Sequence, residues 1–104
     1  MDRIAQLNVF LKNNPNDAFV QHALALEYIK KGDDATARTL FKNVLTQDED
    51  YIGSYYHLAK LLERTGDRDE ALAVYEKGMA KSKALGENHA YNELLAAYED
   101  LQDY

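Results

Sequence analysis

The sequence predicts an all-α chain of about six helices built from a repeated unit, and three observations predict it. Gly32 and Gly66 stand 34 residues apart, and a slide of 34 also superposes Leu24 on Leu58, Ala25 on Ala59, Asp33 on Asp67 and Ala37 on Ala71. Close chemical pairs follow the same slide: Lys30 with Arg64, Leu40 with Val74, Phe41 with Tyr75 and Leu45 with Met79. A fixed period of this length marks one supersecondary unit stacked on its copies, the architecture of an α-solenoid. Secondly, apolar residues recur at helical spacing throughout. Thirdly, no segment shows sustained period-two alternation with β-branched enrichment, so no strand is expected.

Each helix has its own signature. The first, about Asp2 to Lys12, carries Ile4, Leu7, Phe10 and Leu11, and stops before Pro15 because proline disfavours helical geometry in the residue preceding it. The second, about Asp17 to Lys31, presents Phe19, Val20, Leu24, Ala25, Tyr28 and Ile29 and ends at Gly32, which can take a left-handed conformation. Asp33 or Asp34 offers a carboxylate to the free amides of the third helix, about Asp34 to Thr46, with Ala37, Leu40, Phe41, Val44 and Leu45 as its core face. In the connector Asp48-Glu49-Asp50 the last carboxylate can cap the fourth, about Tyr51 to Thr65, whose apolar residues are Tyr55, Leu58, Ala59 and Leu62. Asp67 through Glu70 reads as a capping box for the fifth, about Arg68 to Lys83, which carries Ala71, Leu72, Val74, Tyr75 and Met79. Lys77, Lys81 and Lys83 lie toward its negative end, where cations are favoured. Gly86 and Asn88 stop that helix and start the sixth, about Asn88 to Gln102, with Tyr91, Leu94, Leu95, Tyr98 and Leu101. Connections this short make successive helices antiparallel neighbours.

Composition narrows the functional classes. A chain of 104 residues is one domain with a modest core. It contains no cysteine, so disulfides and thiol chemistry are excluded, in keeping with a reducing cytoplasm. The formal charge of −6, with cations scattered among acids, disfavours nucleic acid as a partner. The opening residues lack a basic n-region and long apolar run, so no signal peptide is expected. No stretch approaches the roughly 18 apolar residues of a membrane span, so no membrane association is expected. A cytoplasmic location follows as the expectation.

Chemistry-bearing motifs are few. His22, His57 and His89 give no HxxxH pair and no local cluster, so they read as surface histidines rather than metal ligands. No Gly-rich phosphate loop or Ser-centred elbow appears. Asp48, Glu49 and Asp50 read as loop acids, and Tyr28, Tyr55, Tyr75, Tyr91 and Tyr98 as packing residues. No catalytic residue, metal site or cofactor is expected, and the chain is not expected to be an enzyme.

The period and its landmarks resemble the tetratricopeptide repeat family, a 34-residue helix–turn–helix unit, in the manner of a small bacterial-type domain protein. In one repeat, 18–51, Leu24-Ala25, Tyr28, Gly32, Ala37 and Phe41 fall on signature positions. In the next, 52–85, these are Tyr55, Leu58-Ala59, Leu62, Gly66, Ala71 and Tyr75. Segment 1–14 resembles the second half of a repeat, with Leu7 under Phe41, Phe10 under Val44 and Leu11 under Leu45. Segment 86–104 resembles a first half acting as a capping helix, since a slide of 36 pairs Tyr55 with Tyr91, Leu58 with Leu94 and Glu63 with Glu99. Gln21 departs from the pattern, standing where the family often has an aromatic residue, and Glu49 and Lys83 replace the customary closing proline.

The resemblance implies a right-handed stack of antiparallel helix pairs serving as a protein- or peptide-binding scaffold or adaptor. In such arrays the first helix of each unit lines the concave face. By resemblance the candidate groove comprises Phe19, His22, Leu26 and Ile29, then Tyr56, His57, Lys60 and Arg64, then Asn92 and Ala96. Tyr56, Lys60 and Arg64 recur every fourth residue, a spacing suited to a carboxylate or to backbone carbonyls of an extended peptide. The bland alternative is that Lys60 and Arg64 pair with Glu63, Glu99 or Asp100 on a solvated face. The cationic clamp by which some members hold a chaperone's terminal carboxylates looks absent, with His22, Leu26 and His57 at its places. The expected partner is another protein or peptide, with the chain a monomer or a weak homodimer. Self-assembly through terminal helices, using Val9 and Phe10, is the competing expectation.

Overall fold

The computed structural model describes residues 2–103. Met1 and Tyr104, which belong to the expected segments 1–14 and 86–104, lie outside them. Six helices follow in order: α1 (Arg3–Asn13), α2 (Ala18–Lys31), α3 (Asp34–Gln47), α4 (Gly53–Arg64), α5 (Arg68–Ala84) and α6 (Asn88–Gln102). No strand occurs among the described residues. The chain forms two compact units, one ending at Asp48 and one beginning at Glu49.

In the first unit the helix starts obey simple hydrogen-bond chemistry. The carboxylates of Asp2, Asp17 and Asp33 accept from the amides of Ala5 (2.8 Å), Val20 (3.0 Å) and Thr36 (3.1 Å). Each satisfies a donor that has no partner within its own helix. Helix α2 ends with Gly32 at φ +87°, its amide donating to the Ile29 carbonyl while the Asp33 amide reaches the Tyr28 carbonyl. That left-handed turn is open to glycine at little steric cost. The core joins Leu7 of α1 to Val20 and Leu24 of α2, with Ile4, Leu11, Ala23, Tyr28 and Leu40 packed around them. Ala25 and Ala37 have no exposed surface, and neither has Phe41 of α3, whose ring meets His22 edge-on at 5.5 Å between centroids. An acid is also drawn inward: Glu27, its side chain 13% exposed, takes Arg3 of α1 at 3.4 Å and Lys30 at 3.2 Å.

The second unit repeats the plan with different side chains. Gly66 sits at φ +85°, with its amide on the Glu63 carbonyl and the Asp67 amide on the Leu62 carbonyl. Tyr55, Ala59, Leu61, Leu62, Ala71 and Tyr75 are buried where α4, α5 and α6 pack together. Gly78 of α5 lies in a tight contact, since a Cβ built there would stand 2.7 Å from the Tyr55 Cβ and 3.1 Å from Leu94 Cδ1. Only a residue without a side chain fits that gap.

One hydrogen bond recurs in both units. The Gln21 amide nitrogen donates to the Pro15 carbonyl at 2.7 Å, and the Tyr55 hydroxyl donates to the Glu49 carbonyl at 2.6 Å. Both pairs are separated by six residues and both obey the 34-residue slide. Gln21, where the family often has an aromatic, therefore reproduces the polar task of Tyr55. Its other amide atom, Oε1, is buried without a hydrogen-bond partner.

Two expected caps differ. Helix α4 starts at Gly53 rather than Tyr51, and its cap position, Ile52, has helical geometry and no side-chain capping bond. Asp50 instead turns toward Lys81 at 3.9 Å, while Glu49 takes Lys77 at 3.0 Å and Lys81 at 3.1 Å. Two lysine ammoniums thus outcompete the helix amides for these loop carboxylates. The Asp67–Glu70 capping box does not form as expected either, for Asp67 makes no side-chain capping bond and its carboxylate accepts from the Thr65 hydroxyl at 3.2 Å.

Candidate peptide-binding face

Helices α2, α4 and α6 carry the candidate groove residues, and none of the ten is buried. In the first unit Phe19 is 68% exposed, while His22, Leu26 and Ile29 are half-buried along α2. The His22 ring is already engaged against Phe41, so its accessible edge is what remains for a ligand. Of these four candidate residues, Phe19, Leu26 and Ile29 are apolar.

In the second unit Tyr56, His57 and Lys60 are half-buried, and Arg64, Asn92 and Ala96 are exposed. The Lys60 ammonium lies 5.9 Å from the centre of the Tyr56 ring and 3.6 Å from the Glu63 carboxylate. Glu63 in turn accepts a short hydrogen bond from the Tyr75 hydroxyl of α5. Burial, with that carboxylate beside it, pushes the Tyr75 phenol far above its ordinary range, so it stays a donor. Tyr75, Glu63, Lys60 and Tyr56 therefore form one connected series from the core to the surface. The pairing of Lys60 with Glu63 is the bland alternative raised from the sequence, and it holds for Lys60. Lys60 of the Tyr56, Lys60 and Arg64 series is thus paired with Glu63 on a partly solvated face.

Other charges converge on this region. Burial lowers the His57 imidazole below its ordinary value, and the Glu93 carboxylate of α6 opposes that shift. Asp100 of α6 likewise acts on Tyr75. His89 is exposed. Among the described residues no group of three or more histidines or carboxylates could hold a metal ion. No helix among them is long and apolar enough to cross a membrane. Val9 and Phe10 of α1 are 51% and 61% exposed, and Leu85 is 49% exposed.

Sequence reasoning missed several contributors. Leu61 is 1% exposed, yet the slide pairs it with Glu27, so the repeat gave no sign of an apolar position. Gly78 had a faint signal, standing where the other repeat has Val44. The link of Glu63 to Tyr75 joins residues 12 apart on different helices, which spacing along one helix does not reveal.

Comparison with known proteins agrees with the repeat geometry. A family model of the tetratricopeptide repeat matches residues 28–98. A tetratricopeptide repeat domain protein from Salinibacter ruber, solved by NMR, is 35% identical, with 86% of this chain and 90% of that chain covered and a TM-score of 0.82. The TPR2B domain of yeast Sti1, solved in a complex with a pHsp70 ligand, has the same fold at 15% identity, covering 96% of this chain and 80% of that one with a TM-score of 0.88. The Yersinia enterocolitica type III secretion translocator chaperone SycD covers 95% and 69% at 13% identity, with a TM-score of 0.87. Among curated proteins no match is found. The matched span, the Salinibacter relative and the recurring glycine turns, alanine contacts and carbonyl-bound side chains together place this chain in the tetratricopeptide repeat family.

Proposed function

We propose that the protein is a non-catalytic scaffold or adaptor module that binds a peptide segment of another protein, with repeats at 18–51 and 52–85. The candidate ligand contacts are Phe19, His22, Leu26 and Ile29 on α2 in the first unit and, in the second unit, Tyr56, His57, Lys60 and Arg64 on α4 with Asn92 and Ala96 on α6. The observation that carries this reading is that all ten side chains keep exposed surface while their helices are anchored by other residues. A preformed face of this kind binds without first ordering the protein, which limits the entropic cost of association. The Sti1 domain, solved with a pHsp70 ligand, and SycD, a translocator chaperone, support the class of partner. A cytoplasmic location is consistent with a cysteine-free acidic chain.

Site-specific photocrosslinking in the native host tests this. A benzoylphenylalanine placed at Tyr56 or Ala96 is expected to trap a partner that the same probe at exposed Thr39 does not. Crosslinks confined to Thr39 would move the site to another surface.

Exposed Val9 and Phe10 support a second reading, weak self-association through α1. Light scattering over a concentration series, with Phe10→Asp as control, separates it: a wild type that stays monomeric at high concentration removes its support.

A further inference from the structure

We propose that copies of this chain associate head to tail, α6 of one against α1 of the next, in the manner in which α4 packs on α5. This rests on the second reading above, self-association through α1, and names the surface that α1 meets. A slide of 34 places Phe10, Val44 and Gly78 at one repeat position, on α1, α3 and α5. Val44 and Gly78 are buried, whereas Phe10 is 61% exposed. What covers this position is visible at Gly78, which lies against Tyr55 of α4 and Leu94 of α6. The counterpart of Leu94 for α1 is Leu24 of α2, and it is in place, packed with Leu7 in the core. Phe10 is open on the side where a counterpart of Tyr55 would lie.

Helix α6 carries that counterpart. A slide of 36 sets Tyr91, Leu95 and Tyr98 on Tyr55, Ala59 and Leu62. The three residues of α4 are buried, while those of α6 are only half-buried. Their spacing puts them on one stripe of the helix. Charge then selects the direction of pairing. Helix α1 contains Arg3 and Lys12 and no acid, and α6 contains Glu93, Glu99 and Asp100 and no lysine or arginine. Pairing α1 with α1, or α6 with α6, juxtaposes like charges, whereas α6 on α1 joins opposite ones. The register agrees. Glu63, the counterpart of Glu99, reaches Tyr75 of α5, one turn beyond Ala71, and the counterpart of Ala71 on α1 is Arg3. The same packing therefore carries Glu99 toward Arg3, whose side chain stays 60% exposed while pairing with Glu27. Leu95 in place of Ala59, and Phe10 in place of Gly78, hold these helices farther apart than α4 and α5.

Sedimentation velocity over a concentration series tests the pairing with two variants, Phe10→Asp and Leu95→Asp, whose folds are checked by circular dichroism. Tyr91→Asp takes the place of Leu95→Asp should that chain unfold. The mass of the wild type is expected to rise with concentration and to fall back as salt screens the charges. Each variant alone should stay monomeric, because each retains one kind of face. Mixed in equal amounts, the two should form a dimer and go no further, since each pair holds one intact α1 face and one intact α6 face. If the mixture stays monomeric while the wild type associates and Phe10→Asp does not, the pairing with α6 is overturned and self-association through α1 survives. The pairing also falls if the α6 variant associates like wild type. If Phe10→Asp associates like wild type, or the wild type is monomeric at every concentration, both readings fall.

Discussion

At the scale of single residues, space and charge decide outcomes more than residue type does. Gly78→Ala would improve intrinsic helix propensity by about 1 kcal/mol. The new methyl, however, would meet the Tyr55 Cβ at 2.7 Å, and an atom so close to the backbone has little freedom to retreat. Overpacking of this kind typically costs about 1–3 kcal/mol, so net destabilisation is expected in urea unfolding. An unchanged midpoint would show that α4 and α5 can separate cheaply. His57 makes a different prediction. Its folded-state value lies below 6.5 because burial disfavours the charged ring. The unfolded chain therefore binds the proton more readily, so this contribution is complete above pH 6.5 and is lost as pH falls through the folded value. The melting temperature should decline on acidification across that window, and His57→Gln should flatten the decline. A slope identical in the variant would assign the effect to other groups. Neither feature was evident from sequence, since both depend on which neighbours surround a side chain.

Among the helices, boundaries were legible wherever a local rule acted alone. Asp33 caps as expected, and Gly32 and Gly66 turn the chain as expected, while Asp2 and Asp17, expected as the first residues of their helices, stand just outside them as caps. The rule failed at Asp50 and Asp67 because other partners, Lys81 and the Thr65 hydroxyl, compete for the carboxylate. The candidate face was partly legible: the sequence suggested which helices expose it, while the closure of Lys60 by a tyrosine-bound Glu63 needed the fold. The paired carbonyl contacts give an element-level prediction. Tyr55→Phe removes a hydrogen bond in a buried setting and should cost about 1 kcal/mol. Gln21→Leu removes the equivalent bond but also the buried, unpartnered Oε1, so its cost should be smaller. Thermal melts of the two variants check the order, and the reverse order would count against an equal role for the two contacts.

Over the whole molecule, the two compact units predict where damage spreads. Ala59 has no exposed surface, and Ala59→Leu should cost about 1–3 kcal/mol by overpacking the second unit. Since cooperative opening follows compact units, amide hydrogen exchange should accelerate in α4, α5 and α6 more than in α2 and α3. Uniform acceleration in all of them would indicate one cooperative block instead. The division at Asp48 was not anticipated from the repeat frame, which breaks at 51. Burial of the Tyr55 side chain and its bond to the Glu49 carbonyl tie the connector to the second unit.

The equivalent bonds that Gln21 and Tyr55 each make to a carbonyl also show what the repeat demands at this place. What both units preserve at this place is a donor of a certain reach, able to touch a carbonyl six residues upstream. A lineage can therefore exchange a ring for an amide here without losing the tether, provided that the surrounding volume adjusts. Two units spelled differently at this place thus keep the same mechanical joint.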